Sequence, residues 1–167
     1  MTYFQRVLLI AVILLTCVGC DQATKAAAKT YLTSSQSISF SGDFFRLQYI
    51  KNTGAFLSLG STLPATPRFW LLTIATGIIV TGIFVFILIS RKLQSAFVIG
   101  FSLIIGGGFG NLIDRIFNNG AVIDFMNIGV GSLRTGIFNV ADVAIMLGEG
   151  ILVYLVSRNK GFIEKRL

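Results

Sequence analysis

Histidine is absent from this 167-residue chain, and the other residues that most often serve catalysis or metal binding are scarce. Without an imidazole the sequence excludes histidine bases, Ser-His and Cys-His nucleophile pairs and most transition-metal sites. The chain has two cysteines, two prolines and seven acidic residues, and only 13% of its residues are charged. Its chemistry must therefore rely on carboxylates, hydroxyls, amines and amides, and we expect neither a metal nor another cofactor.

Apolar residues dominate what is present. Hydrophobic residues make up 54% of the chain and the mean hydropathy is +0.81, which is far from an ordinary soluble domain and predicts one integral membrane domain over residues 1–167. The net charge of +7 is best explained by cytoplasmic loops and anionic lipid headgroups. We therefore expect a monomer surrounded by membrane lipid, with no nucleic acid partner.

Four uncharged or nearly uncharged segments predict the fold class, an all-α membrane protein with four transmembrane helices. The predicted spans cover about residues 7–28, 69–89, 93–115 and 136–157. Residues 33–63 are rich in Ser, Thr and aromatic side chains in partial alternation, as in ISF, FRLQY and AFLSL, which predicts short strands in a small extracytoplasmic β-rich loop region. AVIDFM at 121–126, which contains Asp124, is a further alternating segment that could be a strand or an extended edge. Pro67 suits the first turn of the helix that follows it.

The first apolar run allows two interpretations. It could be a secretory signal with Cys20 as a lipid-attachment site, or an uncleaved first helix that continues through Asp21 to Lys25. Cys17 and Val18 fit a lipid-attachment site poorly and three further spans follow, so we favour the uncleaved helix. Both cysteines are then expected to be buried as small apolar side chains.

The distribution of basic residues predicts the topology. They lie at the N-terminus, in the second loop and at the C-terminus, namely Arg6, Arg91, Lys92, Arg158, Lys160, Lys165 and Arg166. Four spans place these three regions on one face, which the positive-inside rule makes cytoplasmic. The remaining polar residues then collect at the extracytoplasmic surface: Asp21, Lys25, Asn52, Asn111, Asp114, Arg115, Asp124, Asn139 and Asp142.

Three aspartates in apolar surroundings, Asp114, Asp124 and Asp142, are the candidate reactive groups. A carboxylate beside hydrocarbon is costly unless it is paired, protonated or hydrated. Two such groups could share a proton, so that one activates water and the other donates to a carbonyl oxygen, as in aspartyl peptide hydrolysis. We favour Asp124 with Asp142 as the pair, whereas Asp114 beside Arg115 better suits a structural ion pair.

Several other polar or small residues allow two interpretations each. Asp21 and Lys25 are i, i+4 and could compensate each other at the membrane surface, with or without a further role. Asn-Thr-Gly at 52–54 is either a turn between strands or part of a ligand site. Gly106 and Gly110 favour close helix packing over clearance for a substrate. Glu149 lies two turns beyond Asp142 and could face the bundle interior or another helix, and the sequence does not identify its partner.

Other functional classes also fit parts of the sequence. A hydrolase could pair Lys25 with a loop serine, and Lys25→Met with retained activity would exclude it. A small transporter or proton relay would also bury acids in helices, but here Glu149 is the only acid clearly deeper than the membrane surface. A purely structural membrane subunit would show no peptide hydrolysis.

Five short blocks together suggest a family. They are DQATK at 21–25, NTGAF at 52–56, GNLIDR at 110–115, VIDF at 122–125 and FNVAD at 138–142. In this order, and over nearly the whole chain, they resemble the lipoprotein signal peptidase (signal peptidase II) family of bacterial membrane aspartyl proteases. One departure is the absence of a second alanine after NTGA, which could reshape a pocket near Phe56, and Glu149 matches no motif of the family.

The resemblance implies a function and a set of roles. The substrate would be a prolipoprotein whose cysteine carries a diacylglyceryl group, cut on the N-terminal side of that cysteine, and globomycin would inhibit the enzyme. Asp124 and Asp142 would be catalytic. Asn52, Gly54, Asn111, Arg115 and Asn139 would line the substrate groove, and Asp21, Lys25 and Asp114 would support it.

Overall fold

The computed structural model describes residues 1–32, 37–55, 59–90 and 92–164. In chain order the elements are α1 (Tyr3–Tyr31), β1 (Ser37–Phe40), β2 (Phe45–Asn52), α2 (Ala65–Phe69), a π-helical segment (Trp70–Ala75), α3 (Thr76–Ile89), α4 (Ser95–Phe117), β3 (Val122–Val130), β4 (Leu133–Arg134) and α5 (Val140–Glu164). Because α2, the π-helical segment and α3 follow one another directly, they form one long helix.

Four helices in the described part of the chain are long and apolar enough to cross a membrane. The predicted class, a four-span membrane protein with a small sheet, is confirmed. The second span begins earlier than predicted, after Pro64, and has Pro67 in its first turn. The fourth span begins at Val140, because the preceding Phe138 exchanges backbone hydrogen bonds with Met126 of β3 and cannot join the helix.

Helix α4 lies at the centre of the bundle because its glycines let three helices approach. A Cβ atom at Gly106 would lie 2.7 Å from the Cβ of Cys17, and one at Gly110 would lie 2.6 Å from Oδ2 of Asp21. Both positions therefore face α1, which confirms packing as the role of this glycine pair. Gly108 is equally close to Val80 on α3. Apolar side chains next to the glycines, such as Ile105, fill the core.

Four antiparallel strands form one sheet in the order β1-β2-β3-β4. The two strands predicted within SISF and FRLQY are present, and β2 extends to Asn52. The third predicted strand, AFLSL, lies largely outside the described residues. Asp124 belongs to β3, which pairs with both neighbours, so the segment is a central strand and not an edge. We call the end of the bundle that carries this sheet the sheet end.

The opposite end of the bundle is held by a buried arginine. The guanidinium of Arg6 donates hydrogen bonds to the carbonyl oxygens of Ile87, Ser90 and Leu93, the last at 2.8 Å. These carbonyls lie at the end of α3 and just before α4, so the N-terminus and the second loop share one end, as the charge pattern predicted. Arg91, Lys165, Arg166 and the side chain of Lys160 lie outside the described residues.

The first helix continues without a break through both cysteines. Cys17 is half-buried against Gly106, but Cys20 is exposed, so the prediction that both are buried is wrong for Cys20. Cys17 and Asp21 are i, i+4 and both contact glycines of α4, whereas Cys20 directly precedes Asp21 and is rotated from it by about 100° around the helix axis.

Candidate active site at the sheet end

The first turn of α5 fixes one of the two candidate catalytic carboxyls. Asn139 precedes the helix, its side-chain oxygen accepts from the backbone N–H of Asp142 at 3.0 Å, and Asp142 Oδ2 accepts from the backbone N–H of Asn139 at 3.0 Å. This reciprocal pair satisfies two backbone donors at the helix start. The favourable helix dipole also acts on the Asp142 carboxylate. A capping function therefore orients the side chain of Asp142.

Strand β3 positions the other candidate. Asp124 is 3% exposed, and both of its oxygens accept amide hydrogen bonds, from Asn52 Nδ2 at 3.0 Å and from Asn139 Nδ2 at 2.7 Å. Asn52 is the last residue of β2 and pairs with Val122, two residues before Asp124 on the same face. The strand register therefore brings the amide of Asn52 to this carboxyl.

A chain of side-chain amides connects the two carboxyls. Asn139 Nδ2 donates to Asp124 Oδ1 and also to Asn111 Oδ1 at 3.1 Å, and Asn111 Nδ2 donates to Asp142 Oδ1 at 2.9 Å. Asn139 is completely buried. Asp124 and Asp142, which lie 18 positions apart in the sequence, are thus both hydrogen-bonded to Asn139.

Arg115 lies beside these carboxyls without forming an ion pair with either. Its Nη2 donates to the carbonyl oxygen of Gly54 at 3.2 Å, and its Nε is buried with no hydrogen-bond partner among the described residues. Gly54 is itself held by the side chain of Asn52, which accepts from the Gly54 N–H at 2.9 Å. Asn52 thus both terminates a strand and orders the 52–54 segment at the site. Phe56, the predicted departure from the family, lies outside the described residues.

Behind the site lies a buried ion-pair cluster of Asp21, Lys25 and Asp114. Lys25 Nζ is 2.8 Å from Asp21 Oδ2 and 3.0 Å from Asp114 Oδ2, and the three residues are 2% exposed or less. The predicted Asp21–Lys25 pair is therefore present, and its burial excludes the alternative of a solvent-exposed pair without a further role. Asp114 forms a structural ion pair and anchors a hydrogen bond, as predicted, but its cation is Lys25 from α1 and not the neighbouring Arg115.

This cluster connects three elements to the site. Asp21 Oδ1 accepts from the backbone N–H of Ala141 at the start of α5, and Asp114 Oδ2 accepts from that of Ile123 in β3. Lys25 also donates to Asn111 Oδ1 at 3.0 Å, which turns the Asn111 amide so that its nitrogen faces Asp142. The partners of Lys25 among the described residues are two carboxylates and an amide oxygen and include no serine, so the hydrolase based on Lys25 and a serine loses its support.

An open cavity of about 570 Å³ lies against the two carboxyls. Its walls come from β2, β3, the second span, α4 and α5, and are lined by Asn52, Ala55, Leu72, Thr76, Gly108, Asn111, Arg115, Val122, Asp124, Ile137, Asp142, Ile145, Met146 and Glu149. Of the ten residues predicted for the site, five line this cavity, Gly54 and Asn139 contact lining residues, and the remaining three belong to the ion-pair cluster.

The surroundings of Asp124 change its acidity. Burial raises its pKa to about 6, the nearby Asp142 carboxylate adds to this rise, and the hydrogen bonds from Asn52 and Asn139 oppose it. Between two neighbouring carboxyls, a raised pKa identifies the group that keeps a proton at the higher pH. No group of three or more metal-ligating side chains occurs in the described ranges.

Two residues at the site were missed in the sequence. Gln22 Nε2 donates to Asp21, Gly110 and Asp114, each at 3.2 Å, and so completes the ion-pair cluster. Its place beside Asp21 in the DQATK block was the available signal. Thr76 lines the cavity from the second span, where nothing in an uninterrupted apolar run distinguishes it from its neighbours.

Together these features define a multi-pass membrane protein with a polar, carboxyl-bearing cavity at one end of a helix bundle. The family model described as signal peptidase (SPase) II matches residues 13–158. The chain belongs to this family, and it is accordingly a membrane protease that removes signal peptides from lipoproteins.

Relatives from distant bacteria support this assignment. The chain is 36% identical over 163 residues to the lipoprotein signal peptidase of Leifsonia xyli subsp. xyli, covering 95% of this chain and 71% of the relative. It is 37% identical over 149 residues to that of Chlorobium phaeobacteroides, covering 83% and 89%. With the lipoprotein signal peptidase of Mycobacterium leprae the identity is 37%, with coverage of 90% and 71%.

A solved structure has the same fold. A bacterial membrane enzyme determined by the in meso method at 2.3 Å resolution superposes with a TM-score of 0.79 at 24% identity, covering 90% of this chain and 88% of the other. At this identity the likeness supports the arrangement of helices and sheet.

Proposed function

We propose that this protease is an aspartyl endopeptidase in which Asp124 and Asp142 form the catalytic pair. Its proposed substrate is a prolipoprotein with a diacylglyceryl group on its cysteine, cut on the N-terminal side of that cysteine. The observation that carries the proposal is that both carboxyls line one cavity and are hydrogen-bonded to the same buried Asn139. We propose further that the protein is a single domain and acts as a monomer without a cofactor.

The two carboxyls have different proposed roles. Asp124, whose pKa burial raises to about 6, carries the shared proton and donates it to the scissile carbonyl oxygen. Asp142, whose side chain is oriented by the backbone N–H of Asn139 at the start of α5, takes a proton from the attacking water. The water oxygen bonds to the carbonyl carbon. When the C–N bond then breaks, Asp142 returns the proton to the leaving nitrogen and Asp124 recovers its own.

Polar groups beside the pair are proposed to hold the peptide. Arg115 has a buried Nε with no partner in the described part of the chain and lines the cavity, so it can donate to a substrate carbonyl. Asn52, Gly54, Asn111 and Asn139 hold the carboxyls and this arginine in place, and Asp21, Lys25 and Asp114 support them from behind. The peptide backbone would lie extended across the groove, below the sheet.

The position of the site suits a lipid-anchored substrate. We infer that the sheet end faces the extracytoplasmic side of the bacterial inner membrane, with both termini in the cytoplasm. The sequence of the two terminal segments and the short second loop has seven basic residues and one acidic residue, whereas the seven basic residues of the sheet end are accompanied by five aspartates. A substrate could then arrive by lateral diffusion, keep its acyl chains in the bilayer and present the scissile amide to the cavity.

The test uses purified full-length protein in detergent and two forms of one precursor peptide, with and without the diacylglyceryl group. We expect cleavage of the lipidated form only, at the bond preceding the cysteine, and loss of this cleavage when globomycin is added. Equal cleavage of both forms would contradict the proposed substrate. No cleavage of either form would contradict the proposed function.

A further inference from the structure

One acidic residue in the cavity has no role in the mechanism above. Glu149 lies on α5, seven residues after Asp142, and lines the same cavity. Its side chain is exposed there, and it has no hydrogen bond or ion pair with any residue within 1–32, 37–55, 59–90 and 92–158. It thus differs from Asp124 and Asp142, whose oxygens all accept hydrogen bonds.

The depth of Glu149 makes this carboxyl unusual. The membrane-crossing part of α5 is Val140–Arg158, and Glu149 is its middle residue. Two helical turns separate it from Asp142, or about 10 Å along the helix axis. An ionisable group near the middle of a span is costly without a partner, and such groups usually face a cavity and serve a function. Here the cavity is the place from which a partner could come.

The residues that line the cavity around Glu149 indicate which part of a substrate could bind there. Three of the lining residues are apolar, Ile145 and Met146 on α5 and Leu72 on the second span. The second span also contributes one polar residue, Thr76, to the described lining. This wall suits the apolar segment of a signal peptide, and Glu149 adds one hydrogen-bonding group to it. A hydroxyl is the smallest partner that satisfies a carboxyl in either protonation state, because it can both donate and accept.

We propose that Glu149 determines specificity by hydrogen-bonding a Ser or Thr hydroxyl in the apolar segment of the signal peptide. This inference rests on the proposed function, which places the scissile bond at Asp124 and Asp142. A peptide covers 10 Å in about three residues if it is extended and in about seven if it is helical. The hydroxyl therefore belongs three to seven residues before the scissile bond.

The experiment is a serine scan of the substrate. A set of diacylglyceryl-modified precursors carries an otherwise uniform Leu/Ala segment with one serine at each position from two to ten residues before the scissile bond. We expect kcat/KM to rise about three- to tenfold over the serine-free precursor at one or two adjacent positions within the predicted window, the range measured for hydrogen bonds between membrane helices.

Two variants test whether Glu149 causes this preference. Glu149→Leu should cleave all precursors with the same kcat/KM, whereas Glu149→Gln, which still hydrogen-bonds a hydroxyl, should keep most of the preference. Leu147→Ala changes an exposed side chain on the same helix outside the cavity and should behave like the unchanged enzyme. The readout is a ratio between substrates, so a general effect of a substitution on folding does not alter it.

Other outcomes would overturn the inference. The inference would be overturned if kcat/KM of the unchanged enzyme did not depend on the position of the serine. It would also be overturned if the preference for one position persisted in Glu149→Leu, because Glu149 would then not recognise the hydroxyl. Both results require that the precursors are cleaved, so the proposed protease function would stand. If no precursor in the set were cleaved, the proposed function would fail and the inference with it.

Discussion

Two pairs of aspartates lie close together at the sheet end, and their surroundings differ. Asp21 and Asp114 share the ammonium group of Lys25 at 2.8 and 3.0 Å and are sealed from solvent. Asp124 and Asp142 have no cation within 4.0 Å among the described residues, accept hydrogen bonds mainly from neutral amides, and line an open cavity.

The comparison shows how one residue type acquires two functions. A carboxylate that is paired with lysine and bonded to backbone N–H groups holds elements together. A carboxyl that is buried without a cation, beside a second carboxyl, keeps a proton more readily and can exchange it with a substrate. The first pair connects α1, α4, β3 and α5, and the second pair is available for chemistry.

The largest expected effect comes from neutralising Asp124 or Asp142, the pair of carboxyls without a cation. Asp124→Asn and Asp142→Asn should each lower kcat by about 10³-fold or more, because an amide can neither accept nor relay the catalytic proton. Cleavage of a diacylglyceryl-modified precursor by purified protein is the measurement. Both variants should keep the thermal denaturation midpoint within a few degrees of the unchanged protein, and full processing by either would contradict the assigned pair.

Removing the lysine that Asp21 and Asp114 share should reduce mainly the stability of the protein. Lys25→Met leaves two carboxylates buried without their partner and should lower the free energy of unfolding by about 3–5 kcal/mol. Thermal denaturation in detergent measures this, with Lys29→Met, an exposed lysine one turn further on α1, as the matched control. The folded fraction of Lys25→Met should still cleave substrate, and an unchanged denaturation midpoint would contradict the buried ion-pair cluster.

The acidity of Asp124 predicts the direction of a pH dependence. Its pKa of about 6 means that the proton it donates is present below pH 6 and lost above it. With Asp142 as the base, kcat/KM should therefore fall about tenfold for each pH unit well above 6. A series from pH 5 to 8 with a precursor that does not titrate in this range is the measurement. A rate that rises through pH 6 would assign the base role to Asp124.

The smallest effect is expected at an exposed ion pair of the sheet. Asp43 lies between β1 and β2 and pairs with Arg46 and Arg134, and the hydrogen bonds from Arg46 and Ser39 hold its pKa below the usual range. Asp43→Asn keeps a residue type that tolerates the positive φ of this position, 75°. Exposed pairs contribute little, so activity should not change and the denaturation midpoint should move far less than in Lys25→Met. A comparable loss of stability would contradict this distinction between exposed and buried pairs.

Much of the fold was predictable because its signals are local. An apolar run of about 20 residues specifies a membrane span whatever its neighbours, and alternating residues between turns specify strands. The predicted ends of the helices were less accurate where backbone pairing with a strand competes with the helix. Phe138 illustrates this, because its backbone groups bond to Met126 in β3 and so delay the start of α5 by several residues.

Sequence by itself determined the membrane class, the four spans, the acidic candidates and, through five motifs, the family. Only the tertiary structure decided which aspartate meets which partner. Lys25 neutralises Asp21 and Asp114, and Asn139 contacts both Asp124 and Asp142. The physical reason is that the charge and acidity of a carboxyl depend on groups within a few ångströms. In this bundle those groups come from positions up to 120 residues apart, as with Asp21 and Ala141.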